Sequence, residues 1–420
     1  MEVREPSAKY LVRLGYKQTE VGVIPADWDV KSLGEIGESL IGLTYSPSDV
    51  RSDGVLVLRS SNIQESKLRF DDNVFVSAAI PERIMVRDGD VLICVRNGSR
   101  DLIGKSVRLD ERAQGMTFGA FMAVFRTPYS AIAYHQIQSA TVKRQIHEHL
   151  GATINQITNK SLNSFRVPLP PSRAERDAIA EALSDADAHI ESLEQLLAKK
   201  RHVKQGAMQE LLTGKKRLPG FSEAWQAMRL GELGCFLKGS GVTKGQALHG
   251  NLPCVRYGEI YTQHNEFIRA FHSWISRDVA DVATRLRYGD ILFAGSGETK
   301  EEIGKCVAFA NEVEAYAGGD IVILRTEKAD PLFLGYYLNT ASINRQKASR
   351  GQGDAVVHIS AKALTAIEGM FPPIAEQTAI ATILSDMDTN LAALEAKLAK
   401  ARQIKQAMMQ ALLTGRIRLV

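Results

Sequence analysis

The sequence has few cysteines, no long apolar run and little net charge, and each shortage removes a class of protein. Four of 420 residues are cysteine, Cys94, Cys235, Cys254 and Cys306, and none forms a Cys-x-x-Cys pair. Neither a disulfide framework nor a zinc knuckle is supported, and the four read as reduced packing residues. No apolar stretch approaches the roughly 18 to 20 residues that span a bilayer, and the opening MEVREPSAKY lacks an apolar signal segment. The expectation is a cytoplasmic protein with no membrane partner. Lysine and arginine (52) nearly balance aspartate and glutamate (48), leaving a net charge of +4. That is too small by itself to mark a nucleic-acid binder, whose footprint is a clustered basic face.

Complete catalytic motifs are missing too. Phe293-Ala294-Gly295-Ser296-Gly297 follows an apolar run, as the S-adenosylmethionine loop of methyltransferases does, but no Asn/Asp-Pro-Pro-aromatic motif accompanies it. GSRDLIGKS at 98–106 has one residue too many between its glycines for a phosphate-binding loop. Glu298-Thr299-Lys300 lacks the upstream Pro-Asp of a nuclease site, and His147 with His149 has no evident carboxylate or cysteine partner for a metal. No catalytic residue, cofactor or metal is expected.

What is present is a stretch written twice. PSRAERDAIAEALSDADAHIESLEQLLAKKRHVKQGAMQELLTGKKRL (171–218) aligns with PPIAEQTAIATILSDMDTNLAALEAKLAKARQIKQAMMQALLTGRIRL (372–419) at a constant shift, without a gap. In the first copy Ile179, Leu183, Ala186, Ile190, Leu193 and Leu197 step by fours and threes, and in the second Ile380, Leu384, Met387, Leu391, Leu394 and Leu398 do the same. This is a heptad seam, and a strict 3.5-residue repeat predicts two helices wound left-handedly on each other. Prolines open each copy and Thr-Gly closes it. About 40 helical residues make a rod of about 60 Å. Two ordinary packing helices would also show apolar spacing, but would not explain the shared polar positions of KQGAMQELLTGK and KQAMMQALLTGR. Basic clusters such as Lys199, Lys200, Arg201 and Lys204, or Lys397, Lys400, Arg402 and Lys405, equally suit a solvated helix face.

The repeat extends beyond the helices. Trp28 with Leu33-Gly34-Glu35 corresponds to Trp225 with Leu230-Gly231-Glu232; Arg87-Asp88-Gly89-Asp90 to Arg287-Tyr288-Gly289-Asp290; Phe125-Arg126-Thr127 to Leu324-Arg325-Thr326. Short β-branched runs between Asp-Gly and Gly-Asp turns predict strands, and 129–150 and 331–350 read as helices. The expected organisation is an extension (1–20), a mixed α and β unit (21–170), a helix (171–216), a second unit (217–371) and a second helix (372–420). Between the landmarks the units disagree, as at 39–54 against 236–251. A common frame presenting different loops suits two recognition modules.

TEVGVIPADWDVKSLGEIG, the two proline-led helix starts and the two KQ-x-x-MQ-x-LLTG ends resemble the specificity subunit of Type I restriction-modification enzymes, over nearly the whole chain. The resemblance implies an α+β fold: two target-recognition domains in tandem, joined by two long antiparallel coiled-coil helices. It implies double-stranded DNA as target, read in two interrupted halves, with the helices as spacer and docking site. Two modification (methyltransferase) subunits and two restriction subunits are the implied partners. The alternative is a solitary S-adenosylmethionine-dependent DNA methyltransferase, which the incomplete motifs disfavour. If DNA is the ligand, lysine and arginine should hold phosphates and polar side chains should read base edges. The loop residues expected to do so are Thr44, Tyr45, Arg59, Ser61, Asn62, Arg96, Asn97 and Arg100 in the first unit, and Lys238, Ser240, Thr243, Lys244, Arg256, Tyr257, Glu259 and Lys300 in the second. Arg59 and Arg256 hold the same place in both copies, which suits backbone contact or fold support better than reading different bases.

Overall fold

Helices of 39 residues, Arg173–Leu211 and Ile374–Leu412, form over the repeated stretch. The computed structural model describes residues 13–77, 79–150, 155–243, 245–353 and 356–419. The chain divides into two units: the first takes the residues up to Glu194 and those from Lys397 onward, the second Gln195–Ala396. Each unit therefore holds the beginning of one long helix and the end of the other.

Both helices stop for the same reason. Gly214 and Gly415 each adopt φ +68°, the left-handed conformation that glycine takes without a side-chain clash. The chain then turns back, so that the Lys216 amide reaches the Glu210 carbonyl at 3.3 Å and the Ile417 amide reaches Ala411 at 3.2 Å. Such bonds satisfy carbonyls that a helix end leaves bare.

The polar identity of the repeats has a structural cause. In the first unit Lys405 pairs with Asp187 and Arg402 with Glu194 (2.8 Å). In the second, Lys204 pairs with Asp388 (2.6 Å) and Arg201 with Glu395 (2.6 Å). Within each unit one number rises as the other falls, so the helix segments run antiparallel. Past each Thr-Gly stop an arginine closes the arrangement: Arg418 pairs with buried Glu175 and with Asp27, and Arg217 forks onto buried Glu376 with two bonds of 2.6 Å. Arg418 lies over the Trp28 ring at 5.6 Å and Arg217 over Trp225 at 5.8 Å.

The apolar seam does more than join helices. Ile179 and Leu183 belong to one core with Trp28, Phe125, Ile132 and the C-terminal Met409, Leu412 and Leu413; Ile380 and Leu384 belong to the matching core with Phe293, Phe333, Leu211 and Leu212. Burying a side chain of this size contributes about 1.5–3 kcal/mol, so these positions also fasten the helix to its globular unit. Ile190, Leu193, Leu197 and Leu398 are buried, while Leu391 and Leu394 are half-buried.

Each unit is built on a four-stranded antiparallel sheet in one order. In the first it runs Ser106–Arg108, Val91–Cys94, Met122–Arg126, Glu38–Ile41; in the second, Cys306–Ala308, Ile291–Ala294, Ile321–Arg325, Cys235–Lys238. A second small sheet contains a parallel pair, Val55–Leu58 with Thr117–Phe118 and Leu252–Val255 with Tyr316–Ala317, but its outer strands differ between units. The repeated Gly-Asp and Arg-Thr landmarks are one strut: Asp90 accepts from the Arg87 amide and from Arg126, and Asp290 from the Arg287 amide and from Arg325, all at 2.7–2.9 Å.

Two expected helices are each divided. The helix expected over 129–150 is two, Ser130–Gln138 and Ala140–His149, because Ser139 is extended (ψ 157°) and caps the second through its hydroxyl. Pro331–Tyr337 and Ala341–Arg350 are likewise divided by an extended Thr340 (ψ 154°), which makes no side-chain cap bond. The boundary at residue 20 falls in the turn of a hairpin, Tyr16–Thr19 against Gly22–Pro25, whose Tyr16 hydroxyl donates to the Gly415 carbonyl at 3.0 Å.

Candidate nucleic-acid interface

Strand direction gathers the divergent loops. In the first unit Glu38–Ile41 and Val91–Cys94 both run against Met122–Arg126, so their ends meet its start, with Cys94 opposite Met122 and Ile41 opposite Ala123. Leu58 and Phe118 finish their parallel pair side by side. The loops at 42–46, 59–62, 95–100 and 119–121 therefore share one end, tied by the Leu43 amide to Phe118 (2.7 Å), the Gly119 amide to Leu58 (3.0 Å) and Asn97 Nδ2 to Ser60 Oγ (3.2 Å). In the second unit the same register gathers 239–243, 256–262, 295–300 and 318–320, through the Gly239 amide to Ile321 (2.8 Å) and the Gly318 amide to Val255 (2.9 Å).

Most expected residues lie on these loops. Thr44 and Arg96 are exposed, and Tyr45, Arg59, Ser61 and Asn97 are half-buried. Arg59 pairs with Asp72 at 2.8 Å. In the second unit Lys238, Ser240, Thr243, Tyr257 and Lys300 are exposed. Ser240 donates to Val282 (3.1 Å), and Thr243 donates to Gln246 Oε1 through both its amide and its hydroxyl. Lys244 lies outside the described residues.

Four residues of the expected set are struts. Asn62 is fully buried; its Oδ1 accepts the Arg59 amide (2.8 Å) and its Nδ2 donates to the Arg69 and Asp72 carbonyls, leaving nothing for a base. Glu259, matched to Asn62, is buried, takes the Arg256 amide at 3.3 Å and holds Arg256 Nε at 3.1 Å together with the Ser273 hydroxyl. Arg256 is thereby committed to the turn, in line with its matched place. Arg100 donates to the His147 (3.1 Å) and Leu150 (2.9 Å) carbonyls, a cation closing a helix C-terminus.

The glycine segment that suggested a cofactor loop is packed. The Gly295 amide bonds to Asp320, and Ser296–Gly297 form a short strand against Val357–His358. A Cβ on Gly295 would meet the Asp320 carbonyl at 2.8 Å, and one on Gly297 the Tyr261 hydroxyl at 2.7 Å. These glycines serve close packing against Asp320 and Tyr261. His149 bonds to Ser161 at 2.6 Å, and among the described residues no group of three metal-type ligands occurs.

Two clefts open at the loop end of the second unit. One, of about 640 Å³, is lined by Arg256, Tyr257, Gln263, His272 and Asp320; the other, of about 300 Å³, by Lys238, Ser296, Asp320, Arg350 and His358. Elsewhere in the same unit, burial lowers the basicity of His264 and Lys305 and pushes the Tyr261 hydroxyl up to about 12. Sequence reading missed Asp320 and its counterpart Phe121. Aligning the two copies on their Arg-Thr landmarks would have set one against the other.

Two copies of one frame, each offering its own loops from the same end, define a two-module recognition protein. Residues 25–199 and 222–404 each match the family model described as Type I restriction modification DNA specificity domain, and the chain belongs to that family. It is a non-catalytic specificity subunit whose role is DNA sequence recognition. It is 24% identical to the Type I restriction enzyme EcoKI specificity subunit of Escherichia coli K12 over 86% of this chain and 82% of that protein. It is equally 24% identical to the putative MjaX specificity subunit of Methanocaldococcus jannaschii, over 96% of both. In fold it resembles a Type I restriction-modification S subunit from M. genitalium (TM-score 0.58, 15% identity, 92% of this chain and 96% of that one). A chain from a study of Type I complex assembly and conformational transition is similar (TM-score 0.57, 19% identity, 94% and 99%). Among the described residues no helix is long and apolar enough to cross a membrane.

Proposed function

We propose that each unit reads one half of an interrupted double-stranded DNA site with the loops gathered at its sheet end, and that the helices space the units and dock the catalytic partners. The observation that carries this is the pairing of a matched backbone register with unmatched loop chemistry at one end of both units. Lys238, Lys300 and Arg96 supply exposed positive charge for phosphates or guanine, while Thr44, Tyr45, Ser61, Asn97, Ser240, Thr243 and Tyr257 offer hydroxyl, amide and ring groups to base edges. Arg59 and Arg256 support the turns that present them. Two modification and two restriction subunits complete the assembly, matching the two copies of the helix repeat. Selection from a randomised duplex pool by the full chain, coexpressed with its modification subunit, should return two short motifs separated by a constant unread gap. A single continuous motif, or none, would overturn this reading.

A further inference from the structure

The turn before the central strand carries different chemistry on the same backbone in the two units. Cys94 lies opposite Met122 and Ala294 opposite Ile321, so Phe121 and Asp320 hold matched positions. Each gives its carbonyl to the neighbouring strand end, Phe121 to the Val95 amide at 3.0 Å and Asp320 to the Gly295 amide at 2.7 Å. In the first unit Phe121 is 56% exposed and the Arg96 guanidinium lies over its ring at 4.8 Å. In the second unit the residue matched to Arg96 is Ser296, buried and bonded to His358 at 2.9 Å. The exposed group is instead the Asp320 side chain, which lines both clefts.

Asp320 has φ +59°, a left-handed conformation that costs most side chains energy and that aspartate and asparagine bear best. Gly318 and Gly319 precede it. A strained exposed carboxylate on a DNA-facing loop needs a reason, because a backbone phosphate repels it. Lys238, exposed on the wall of the same cleft, supplies positive charge for a neighbouring phosphate, while Arg350 on that wall is held by the Gln346 (3.0 Å) and Ala366 (3.3 Å) carbonyls.

Resting on the DNA-reading assignment above, we propose that Asp320 is a specificity-determining residue of the second unit, accepting a hydrogen bond from the exocyclic amino group of cytosine in the major groove. Cytosine offers a donor there; guanine and thymine offer acceptors, and adenine sets its N7 acceptor beside its amino group, against the carboxylate. At the matched place the first unit presents Arg96 held by Phe121, a pair suited to the two acceptors of guanine.

The test is duplex selection by the full chain with its modification subunit, comparing wild type, Asp320→Gly and Asp320→Asn. Both replacements tolerate the left-handed φ, so thermal unfolding should be little changed. Wild type should select cytosine at one position of one half-site. Asp320→Gly should lose about tenfold or more of that preference and leave every other position alone. Asp320→Asn should turn the preference toward adenine, whose N6 and N7 asparagine contacts as a pair. An intact two-part consensus selected unchanged by both variants would overturn the proposal and leave the DNA-reading assignment standing. No two-part consensus from the wild type would overturn both.

Discussion

The two units share a backbone plan yet fill matched buried positions with different chemistry. His135 of the first corresponds to Tyr336 of the second. Both pack against a long helix, His135 Nε2 lying 3.3 Å from Ser184 Oγ and the Tyr336 hydroxyl donating to Asp388 at 2.5 Å. Ile146 corresponds to Lys347, which is fully buried. Each faces a left-handed glycine: a Cβ on Gly104 would meet Ile146 Cδ1 at 2.6 Å, and one on Gly304 would meet Lys347 Cδ at 3.1 Å. The lysine stem fills the isoleucine's space, and its amine donates to the Gly304 (2.7 Å) and Leu338 (2.9 Å) carbonyls. The frame thus demands volume and shape at these sites and accepts polarity where partners exist. It follows that the units should respond differently to pH while sharing the same struts.

The largest effect should come from a shared strut. Asp290→Ala leaves Arg325, which is 22% exposed, without its fork, and breaking such a part-buried pair costs about 3 kcal/mol. Hydrogen exchange resolved by peptide should show the loss in the second unit alone, and Asp90→Ala should produce the mirror result in the first. Equal loosening of both units by either variant would break the comparison.

Acid separates the units next. Burial, with Lys405 nearby, drops the His135 pKa to about 3 from an ordinary 6.5, so below pH 6.5 the unfolded chain takes a proton that the folded one refuses. Stability of the first unit should therefore fall with pH between about 6.5 and 3, by about 2 kcal/mol at pH 5. His135→Phe should flatten this limb in urea unfolding. A limb of the same slope in the variant would show that the acid response lies elsewhere.

The amine of Lys347 gives an effect on the alkaline side. Burial lowers its pKa, so the unfolded chain binds the proton more readily, and stability of the second unit should climb as pH rises toward the ordinary lysine value of 10.5. Lys347→Met should remove this climb in denaturation measured from pH 7 to 10. The first unit, with Ile146 in that place, should lack it in the wild type.

Much of the frame was legible because repetition exposes what is structural. The shared Gly-Asp and Arg-Thr landmarks are the Asp90–Arg126 and Asp290–Arg325 struts, and the shared KQ and Thr-Gly positions are the interhelical ion pairs and left-handed stops. The break at Ser139 was not legible, since a serine within an amphipathic run caps a helix only when its own backbone turns extended. The recognition surface was half legible. Loops could be named from divergence, but divergence does not separate a strut from a reader: Asn62 and Glu259 differ in type yet both serve the same turn. Arg100 sits on a divergent loop, and the helix-end carbonyls it closes are 47 and 50 residues away in sequence, so no local pattern marks it as a cap. Phe121 and Asp320 escaped notice because an exposed residue before a strand carries no periodic signal.

Independent reading of DNA by the two units can be probed with a chimera. Residues 21–170 would be replaced by the corresponding unit of a relative with a different target, and bound duplexes selected in the presence of the modification subunit. One half of the recognised site should change to the relative's and the other should be retained. A folded, partner-bound chimera that loses both halves would contradict it.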